Sequence, residues 1–494
     1  MQDTKKVLDY QEKNKAKVLP PLAKNEQKMF NYILKYLIYQ KAPLECFKGI
    51  PSETLIKGFG SGRYWQPLQS LEQKGYIQIN HSYCSIPTKV KERFPNKKGF
   101  CKSYRINPNL FVKGFRFTDL QSEQSKRTSN RLLLKTADSL RQMVCNIPPS
   151  EIEKIVKNLV TDEYINDRYQ DTELVEDGTY FFAINGNLSN NPLPKDKILE
   201  IAKKNRLDAI FCIKNRLFFV GNQETIKAEK KAYVTASYIY ILEKFATGKQ
   251  LDVLDRSQTN NRLTTLFTIF PNDLLKHLKF CGQDFRQLDI SNSQFCILAN
   301  LIKGFSDHKS KGLLIPIISK MQQLKDYYPS FEKCFDLLLD VNGNLSADVQ
   351  NFVKVATDGG LYEQIALSCN LTRPQTKTAM FVVAFSQPQY NPVAKEKVRE
   401  LYPSVLNFVD SVKRALPKKD KVCFAVLLQL IESYVCIDNT LTAIHKHKIK
   451  VLTRHDSFCV PINSNGCYPS LIYNELTRLL PYGFNLKTSW NYEL

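Results

Sequence analysis

The sequence predicts a helix-rich α+β protein. Apolar residues recur at helical spacing in several segments, such as residues 26–40, and shorter apolar runs such as residues 76–83 are typical of strands. Of the 494 residues, 43% are hydrophobic and 24% are charged, which is the composition of a globular protein with a large core. A chain of this length has room for about three domains.

Charge and cysteine usage narrow the class of protein. Lysine and arginine outnumber aspartate and glutamate by 70 to 48, and the net charge of +22 makes a polyanion the natural partner. The 13 cysteines include no CxxC pair, which argues against a disulfide framework or a zinc knuckle. The sequence contains no apolar run of about 18 residues and no apolar signal-peptide core. We therefore expect a cytoplasmic protein without membrane contact.

The first 120 residues predict a charged leader and a small domain. Residues 1–25 are polar and lysine-rich, and residues 26–40 form a helix with Met29, Ile33, Leu34 and Leu37 at helical spacing. A second helix is expected over residues 63–74, ended by Gly75. Two strands, residues 76–83 and 101–106, flank the basic loop 89–99. We expect one domain over residues 26–120.

This order of helices and a basic hairpin resembles the winged-helix domains of replication initiators and transcription regulators. The resemblance implies that Arg63 and Tyr64 open a recognition helix in the DNA major groove. Lys97, Lys98 and Lys102 would line the wing and contact phosphates. The alternative is a small protein-interaction domain whose basic loop faces solvent.

Residues 121–250 are expected to be mostly helical, with a strand pair at residues 180–185 and 209–220. No catalytic pattern stands out in this segment. We expect a connecting or thumb-like domain here.

Two aspartates in the last segment, residues 251–494, are candidates for metal binding. Asp289 ends a strand-like run and precedes an apolar helix, and Asp456 lies in a tight bend between two expected strands. A carboxylate buried at such a position needs a cation, and two of them suit Mg²⁺, a hard cation that prefers oxygen ligands. Alternatively, each is a capping or salt-bridged aspartate.

Residues 372–386 predict a helix suited to a nucleotide. Arg373, Lys377, Phe381 and Phe385 recur every four residues and therefore share one helical face. Thr372 and Gln375 have capping-box spacing, which places the positive helix end near both cations. The cations suit a triphosphate, and the rings suit a base and sugar. The alternative is an amphipathic core helix with two solvent-seeking cations.

Four segments in this order resemble the polymerase core of family A, which includes polymerase I-type DNA polymerases and phage-type single-subunit RNA polymerases. Thr259 to Thr265 is similar to the TxxGRLSS element, with Asn261 in place of glycine. Asp289-Ile290-Ser291 is similar to motif A, and the Arg373 to Phe385 pattern is similar to motif B. His455 to Phe458 has the HDSF form of motif C. The resemblance implies a right-hand palm and fingers, with the fingers over about residues 300–390.

The resemblance also implies roles for individual residues. Asp289 and Asp456 would bind two Mg²⁺ ions, for which Mn²⁺ is an expected substitute, and Arg373 and Lys377 would bind the nucleotide phosphates. The remaining residues would contact base, sugar, primer or template: Phe381, Phe385, Gln294, His455, Arg262, Thr259 and Gln429. Lys377 and His455 would also act in the reaction itself, as proton donor and as a group that positions the primer end.

Departures from the family pattern leave the sugar preference open. Gln294 occupies the position where DNA polymerases have a glutamate that blocks the ribose 2′-hydroxyl, and an amide could exclude that hydroxyl or bond to it. Phe385-Ser386 replaces Tyr-Gly at the end of motif B. In motif C, Ser457 stands where DNA polymerases have a glutamate. No acidic cluster indicates a proofreading exonuclease.

We therefore expect a template-directed polymerase that uses two-metal nucleotidyl transfer, a DNA polymerase of a phage, plasmid or other mobile element in first place. Its partners would be a DNA template and primer and a dNTP or NTP, and the winged helix would serve recruitment in DNA replication. One alternative is an RNA polymerase or primase of the same fold. The other is a non-catalytic replication initiator with a degenerate polymerase fold.

Overall fold

The computed structural model is helix-rich α+β, as the sequence predicts. It describes residues 20–39, 48–59, 64–80, 102–107, 110, 130–168, 179–184, 187–188, 193–194, 197, 200, 209–213, 216–220, 223–257, 259–307, 332–386, 388–389, 393–415, 424–462 and 467–492. The chain divides into two compact units. Unit 1 consists of Met1–Ser122 and Pro149–Glu243, and unit 2 of Glu123–Pro148 and Lys244–Leu494. The segment 121–250, expected as a single connecting domain, thus contributes to both units.

Unit 1 begins with helices and a small sheet, in the order α1 (Lys24–Tyr39), β1 (Lys48–Gly49), α2 (Ser52–Phe59), α3 (Trp65–Gln73), β2 (Ile77–Asn80) and β3 (Ser103–Ile106). The sheet order is β1-β3-β2, and β3 pairs antiparallel with both neighbours. Met29, Ile33 and Leu34 of α1 are fully buried, which explains why their helical spacing predicted this element. Gly75, with a φ of 77°, ends α3 in the left-handed conformation that glycine adopts most readily.

The expected helices and strand pair of residues 26–106 are therefore confirmed to within a few residues at each end. Tyr64 lies directly before α3, and the Lys102 ammonium lies 3.9 Å from the centre of the Trp65 ring. Arg63, Lys97 and Lys98 lie outside the described residues. The winged-helix interpretation stays a prediction.

The helices in the rest of unit 1 are α5 (Pro149–Leu159), α6 (Asp162–Arg168) and most of α7 (Gln223–Ala246). Its remaining strands are β5 (Thr179–Ile184), β6 (Asn187–Leu188), β7 (Leu193–Pro194), β8 (Ala209–Ile213) and β9 (Arg216–Val220). Helix α4 and strand β4 belong to unit 2. The expected strand over residues 209–220 is instead two strands, β8 and β9, which pair antiparallel. The polar pair Lys214-Asn215 interrupts the apolar run at this point. Strand β9 also pairs parallel with β5.

Unit 2 contains the four resemblance-carrying segments. Its first elements are α4 (Arg131–Leu140), β4 (Met143–Cys145), β10 (Leu254–Arg256), β11 (Leu263–Thr265), β12 (Leu278–Phe280), β13 (Phe285–Ile290) and α8 (Ser293–Ser306). Five helices follow: α9 (Ala347–Asp358), α10 (Leu361–Cys369), α11 (Arg373–Phe385), α12 (Val393–Leu401) and α13 (Pro403–Ala415). The last elements are α14 (Phe424–Ser433), a π-helix (Tyr434–Leu441), α15 (Thr442–Lys446), β14 (Leu452–Arg454), β15 (Ser457–Pro461), α16 (Cys467–Leu479) and β16 (Leu486–Trp490).

A four-stranded antiparallel sheet organises unit 2. Its order is β14-β15-β13-β16, so that β13 is paired on both sides. Successive residues of a strand point to opposite faces. Leu288 and Ile290 of β13 belong to the apolar core together with Phe458 and Val460 of β15. Gln287 and Asp289 therefore lie on the other face of the sheet.

Helices pack around this core. Helix α8 packs against α9 and α14, and α11 packs against α10 and α12. Gly359 ends α9 with a φ of 81°, and a Cβ added there would lie 2.8 Å from the Cβ atoms of Ser291 and Asn485. Only glycine fits this contact, which brings α9 against the segment that follows Asp289.

The stretch Phe424–Lys446, which runs through the π-helix, is long and apolar enough to cross a membrane by length and composition alone. However, 72% of the apolar 18-residue window within this stretch is buried inside the fold. Leu428, Ile431 and Val435 are fully buried core residues. Its apolar side chains thus have a packing surface within unit 2.

Candidate active site

The sheet of unit 2 places a row of polar side chains across four strands. Arg454 pairs with Ser457, Ser457 pairs with Asp289, and Asp289 pairs with Lys487. Residues directly opposite each other in antiparallel strands carry their side chains on the same face, with Cβ atoms about 4.5–5.5 Å apart. Asp289 thus has a serine on one side and a lysine on the other.

Asp456 lies beside this row, in the two-residue turn between β14 and β15. The preceding residue, His455, has a φ of 62°, a left-handed conformation that tightens the turn. The backbone N–H of Ile290 donates to the carbonyl oxygen of Asp456 at 3.4 Å, which joins the turn to the end of β13. The bend expected between two strands at this motif is confirmed.

The two aspartates repel each other. Burial, and after it the charge of Asp456, raise the pKa of Asp289 to about 7 against the opposing effect of Lys377 and Lys487. Neither aspartate side chain has a hydrogen bond or an ion pair with any residue that the structure describes. The pair therefore combines partial burial with negative charge that protein groups do not neutralise in direct contact.

The donor set of this pair fits a hard divalent cation. Mg²⁺ retains several water ligands and is typically bound by one or two carboxylates together with substrate phosphates. Within the described residues, no group of three or more histidine, cysteine, aspartate or glutamate side chains could hold a metal ion. Asp289 and Asp456 would therefore form an open site that a substrate phosphate completes, rather than a closed structural site.

A third acid, Glu432 of α14, lies beneath the pair and has a different environment. It is 1% exposed, and the Nε atom of Arg262 donates to its Oε1 at 2.9 Å, with a further contact from Arg262 Nη2. The Ser293 hydroxyl donates to Oε2 at 3.1 Å. Burial raises the pKa of Glu432 to about 7, opposed by Arg262 and reinforced by Asp456. Sequence reasoning missed this residue, because an acid directly after the apolar segment 424–431 resembles an ordinary exposed position.

Further contacts fasten the loop before β11 to α14 and the π-helix. The Asn260 amide donates to Gln429 Oε1 at 3.0 Å, and the Ser433 hydroxyl donates to the carbonyl oxygen of Asn261 at 2.6 Å. Arg256 donates to Asp438 at 2.6 Å. Turns of π-helix often occur at functional sites, and this one extends the surface on which the loop lies.

Three residues predicted to contact primer or template, Thr259, Arg262 and Gln429, lie in unit 2, on the loop before β11 and on α14. Arg262 is engaged with Glu432, and Gln429 with Asn260. Thr259 is exposed, and its N–H donates to the Ser257 hydroxyl at 3.3 Å. Gln294 is half-buried in the first turn of α8. Their roles toward primer or template stay predictions.

Helix α11 begins as the sequence predicts. The Thr372 hydroxyl accepts from the Gln375 N–H at 3.4 Å, and the Gln375 side chain accepts from the Thr372 N–H at 2.8 Å, which completes the capping box. Arg373 is paired with Glu363 of α10, Nε to Oε1, at 3.1 Å. The helix therefore starts at the cation that was expected to bind phosphate.

The two rings of α11 are partly exposed and in contact. Phe381 and Phe385 are 42% and 43% exposed, with ring centres 5.5 Å apart. The Lys377 ammonium lies 5.9 Å from the centre of the Phe381 ring. Exposed aromatic faces next to cations provide the stacking surface and the charge that a nucleotide requires. Ala379, Met380 and Val383 of the same helix are buried in the core, so α11 is amphipathic, and a nucleotide role for its exposed rings stays a prediction.

Tyr362, adjacent to Glu363, is a second residue that sequence reasoning missed. Burial, and after it the charge of Asp456, raise its pKa to about 12. Arg373 acts in the opposite direction. The hydroxyl therefore stays protonated and able to donate a hydrogen bond near the aspartate pair.

Comparisons with known proteins include a distant structural likeness. No protein-family model matches the chain, and no curated protein matches it. Among solved structures, the chain is similar to the POL domain of Pol1 from M. smegmatis in complex with a DNA primer-template and dNTP. The alignment covers 93% of this chain and 81% of that chain, at 10% identity and a TM-score of 0.32.

Proposed function

We propose that the protein is a template-directed nucleic-acid polymerase, and that DNA synthesis is its principal activity. The carrying observation is the pair Asp289 and Asp456, which share partial burial and have no ion pair with a described residue. Helix α11, whose capped N-terminus bears Arg373, belongs to the same unit. Carboxylates for a metal and cations for a triphosphate are the two requirements of nucleotidyl transfer.

In the proposed reaction, a primer 3′-hydroxyl attacks the α-phosphate of the incoming nucleotide, and pyrophosphate leaves. Asp289 and Asp456 would hold Mg²⁺, which supplies charge stabilisation for the attacking and leaving oxygens. Arg373 and Lys377 would orient the β- and γ-phosphates, and Lys377 would donate a proton to the departing pyrophosphate. Phe381 would stack on the nucleotide and thereby exclude water.

The contacts around Glu432 would support this site without entering the chemistry. Glu432 joins Arg262, from the loop before β11, to Ser293, four residues after Asp289. Side chains that are held by such contacts stay in a productive geometry without further ordering. The loop would then present Thr259 and its neighbours to the primer or template at a fixed distance from Asp289.

Unit 1 supports a second component of the proposal, recruitment to duplex DNA. Helix α3 and the pair β2–β3 provide a helix followed by a hairpin, and Lys102 lies at the start of β3. A helix of this kind would contact base edges, and basic residues of the wing would contact phosphates. Loss of duplex affinity in a Tyr64→Ala, Lys102→Ala variant, with primer extension on short templates retained, is the expected result.

Extension of a labelled primer on a DNA template tests the function. Reactions with Mg²⁺ run in parallel with dNTPs, with NTPs, and with NTPs in the absence of primer. Extension by dNTPs alone is expected, with Gln294 acting against the ribose 2′-hydroxyl. Product from NTPs would instead indicate an RNA polymerase or primase. DNA binding without product in any reaction would contradict the proposal and favour a non-catalytic initiator.

A further inference from the structure

Lys487 occupies a position in the site that no sequence motif marks. It lies on β16 directly opposite Asp289 in the antiparallel pair, so that both side chains emerge from the same face of the sheet. Its side chain is 49% exposed, so its ammonium group is accessible to solvent. A lysine at this position brings a positive charge next to the carboxylate that would hold the metal.

Glu363 connects Lys487 to the phosphate-binding helix. Its Oε1 atom lies 3.1 Å from Nε of Arg373 and 3.8 Å from Nζ of Lys487. One carboxylate oxygen thus lies between a cation of α11 and a cation of β16. Because Arg373 and Lys487 come from elements far apart in the sequence, this oxygen marks a point where their charges converge.

The ion pairs of Glu363 with Arg373 and Lys487 are weak enough to be replaced by contacts to a nucleotide. The side chains of Arg373, Glu363 and Lys487 are 59%, 50% and 49% exposed. Ion pairs at this exposure stabilise a fold by about 0–1 kcal/mol, because water and salt screen them. A triphosphate carries several negative charges and more acceptor oxygens than a carboxylate, so it would displace Glu363 from both cations.

We propose that Lys487 is a third phosphate-contacting cation of the nucleotide site, and that Glu363 occupies the place of a phosphate oxygen until nucleotide binds. This inference rests on the proposed function, since it assigns a further contact to the same triphosphate. In the free protein Glu363 keeps Arg373 and Lys487 together. On binding, both cations transfer to the nucleotide, and Glu363 moves to solvent.

Calorimetric titration with inorganic triphosphate in the presence of Mg²⁺ tests the proposal without requiring catalysis. Lys487→Gln is expected to weaken binding about tenfold, the loss of one charge-assisted contact. Glu363→Gln is expected to tighten binding about two- to fivefold, because a competing carboxylate is removed. The gain in affinity from Glu363→Gln should be smaller when Lys487→Gln is also present, because Lys487 is then no longer available to bind triphosphate. The matched controls are Lys354→Gln and Glu400→Gln, both at exposed positions of unit 2.

The same variants in primer extension separate this inference from the proposed function. The expected change is a rise in KM for dNTP with Lys487→Gln and a fall with Glu363→Gln. Unchanged triphosphate binding in both variants would overturn the inference, even in an active polymerase. Altered triphosphate binding in a protein that does not extend primers would uphold the inference and overturn the polymerase assignment.

Discussion

Two clusters of charged side chains in unit 2 differ in how many cations contact their carboxylates. At Asp410 of α13, one buried carboxylate has three cations within 3.7 Å, namely Lys395, Arg399 and Lys413. At Asp289 and Asp456, two carboxylates lie together, and neither has an ion pair with a described residue. The first cluster has its cations in direct contact with the carboxylate, whereas Lys377 and Lys487 act on Asp289 only at longer range. A carboxylate pair without cations in direct contact can bind an added cation, which is why we propose a structural role for the first cluster and a functional role for the second.

The surroundings of the Asp410 cluster support a structural role. Lys395 is fully buried and donates to the Pro388 carbonyl as well as to Asp410, both at 3.2 Å. Lys413 donates to the Val383 carbonyl near the end of α11. The cluster therefore ties α12 and α13 to the C-terminal end of α11 and the segment after it. Glu432 is intermediate, because among the described residues it has one cation, Arg262, in direct contact.

The largest expected effect follows from neutralising the acid pair. Asp289→Asn should reduce primer extension about a thousandfold, because several kcal/mol of transition-state stabilisation by the metal would be lost. The free energy of unfolding without Mg²⁺ should stay unchanged or rise, since the repulsion from Asp456 is removed. Extension assays and urea denaturation measure the two quantities. Asp336→Asn, at an exposed position, is the control, and normal extension by Asp289→Asn would end the metal assignment.

Asp410→Asn should lower the stability of the fold strongly and primer extension less, the reverse of what is expected for Asp289→Asn. Asp410→Asn leaves Lys395 buried next to an uncharged partner, and breaking a buried ion pair in this way costs about 3–5 kcal/mol. Hydrogen exchange in urea, followed at the amides of α12 and α13, measures the local loss of stability. Residual extension at low temperature should greatly exceed that of Asp289→Asn. If Asp410→Asn is as stable as the wild type, the division into a structural and a functional cluster fails.

Local interactions explain which features the sequence could predict. The capping box of Thr372 and Gln375 involves residues three apart, so its pattern predicts the start of α11 directly. The turn at Asp456 could be predicted because apolar runs flank it on both sides. The core positions of α1 follow from helical spacing for the same reason. In these cases the residues that interact are neighbours in the chain.

Long-range pairing explains what the sequence could not predict. Arg262 meets Glu432 across 170 residues, and nothing in the segment 424–431 indicates a buried cation partner for an acid. Lys487 faces Asp289 only because β16 pairs with β13 in one register, and a shift of one residue would turn it to the other face. Three residues of the winged-helix prediction, Arg63, Lys97 and Lys98, lie outside the described residues.

The intermediate cluster should respond to pH. The pKa of Glu432 is about 7 in the folded protein against an ordinary value of 4.5, so the folded state retains a proton that the unfolded state loses between these values. The free energy of unfolding should therefore fall as the pH rises from 4.5 to 7. In Glu432→Gln this contribution to the fall should be absent. Denaturation at several pH values compares the slopes, with Glu400→Gln as the control, and equal slopes in wild type and Glu432→Gln would contradict the assignment.

The smallest expected effect concerns the third cation at Asp410. Lys413→Met removes an ion pair at 3.7 Å and a hydrogen bond to Val383, while Lys395 and Arg399 still neutralise the carboxylate. The cost should be about 1 kcal/mol, the net contribution of a single hydrogen bond. Arg262→Met should cost more, because Glu432 then loses its cation in direct contact and must bind a proton. Urea denaturation of both variants at pH 8 measures the difference. A larger loss for Lys413→Met would mean that the number of neutralising cations does not distinguish the two clusters.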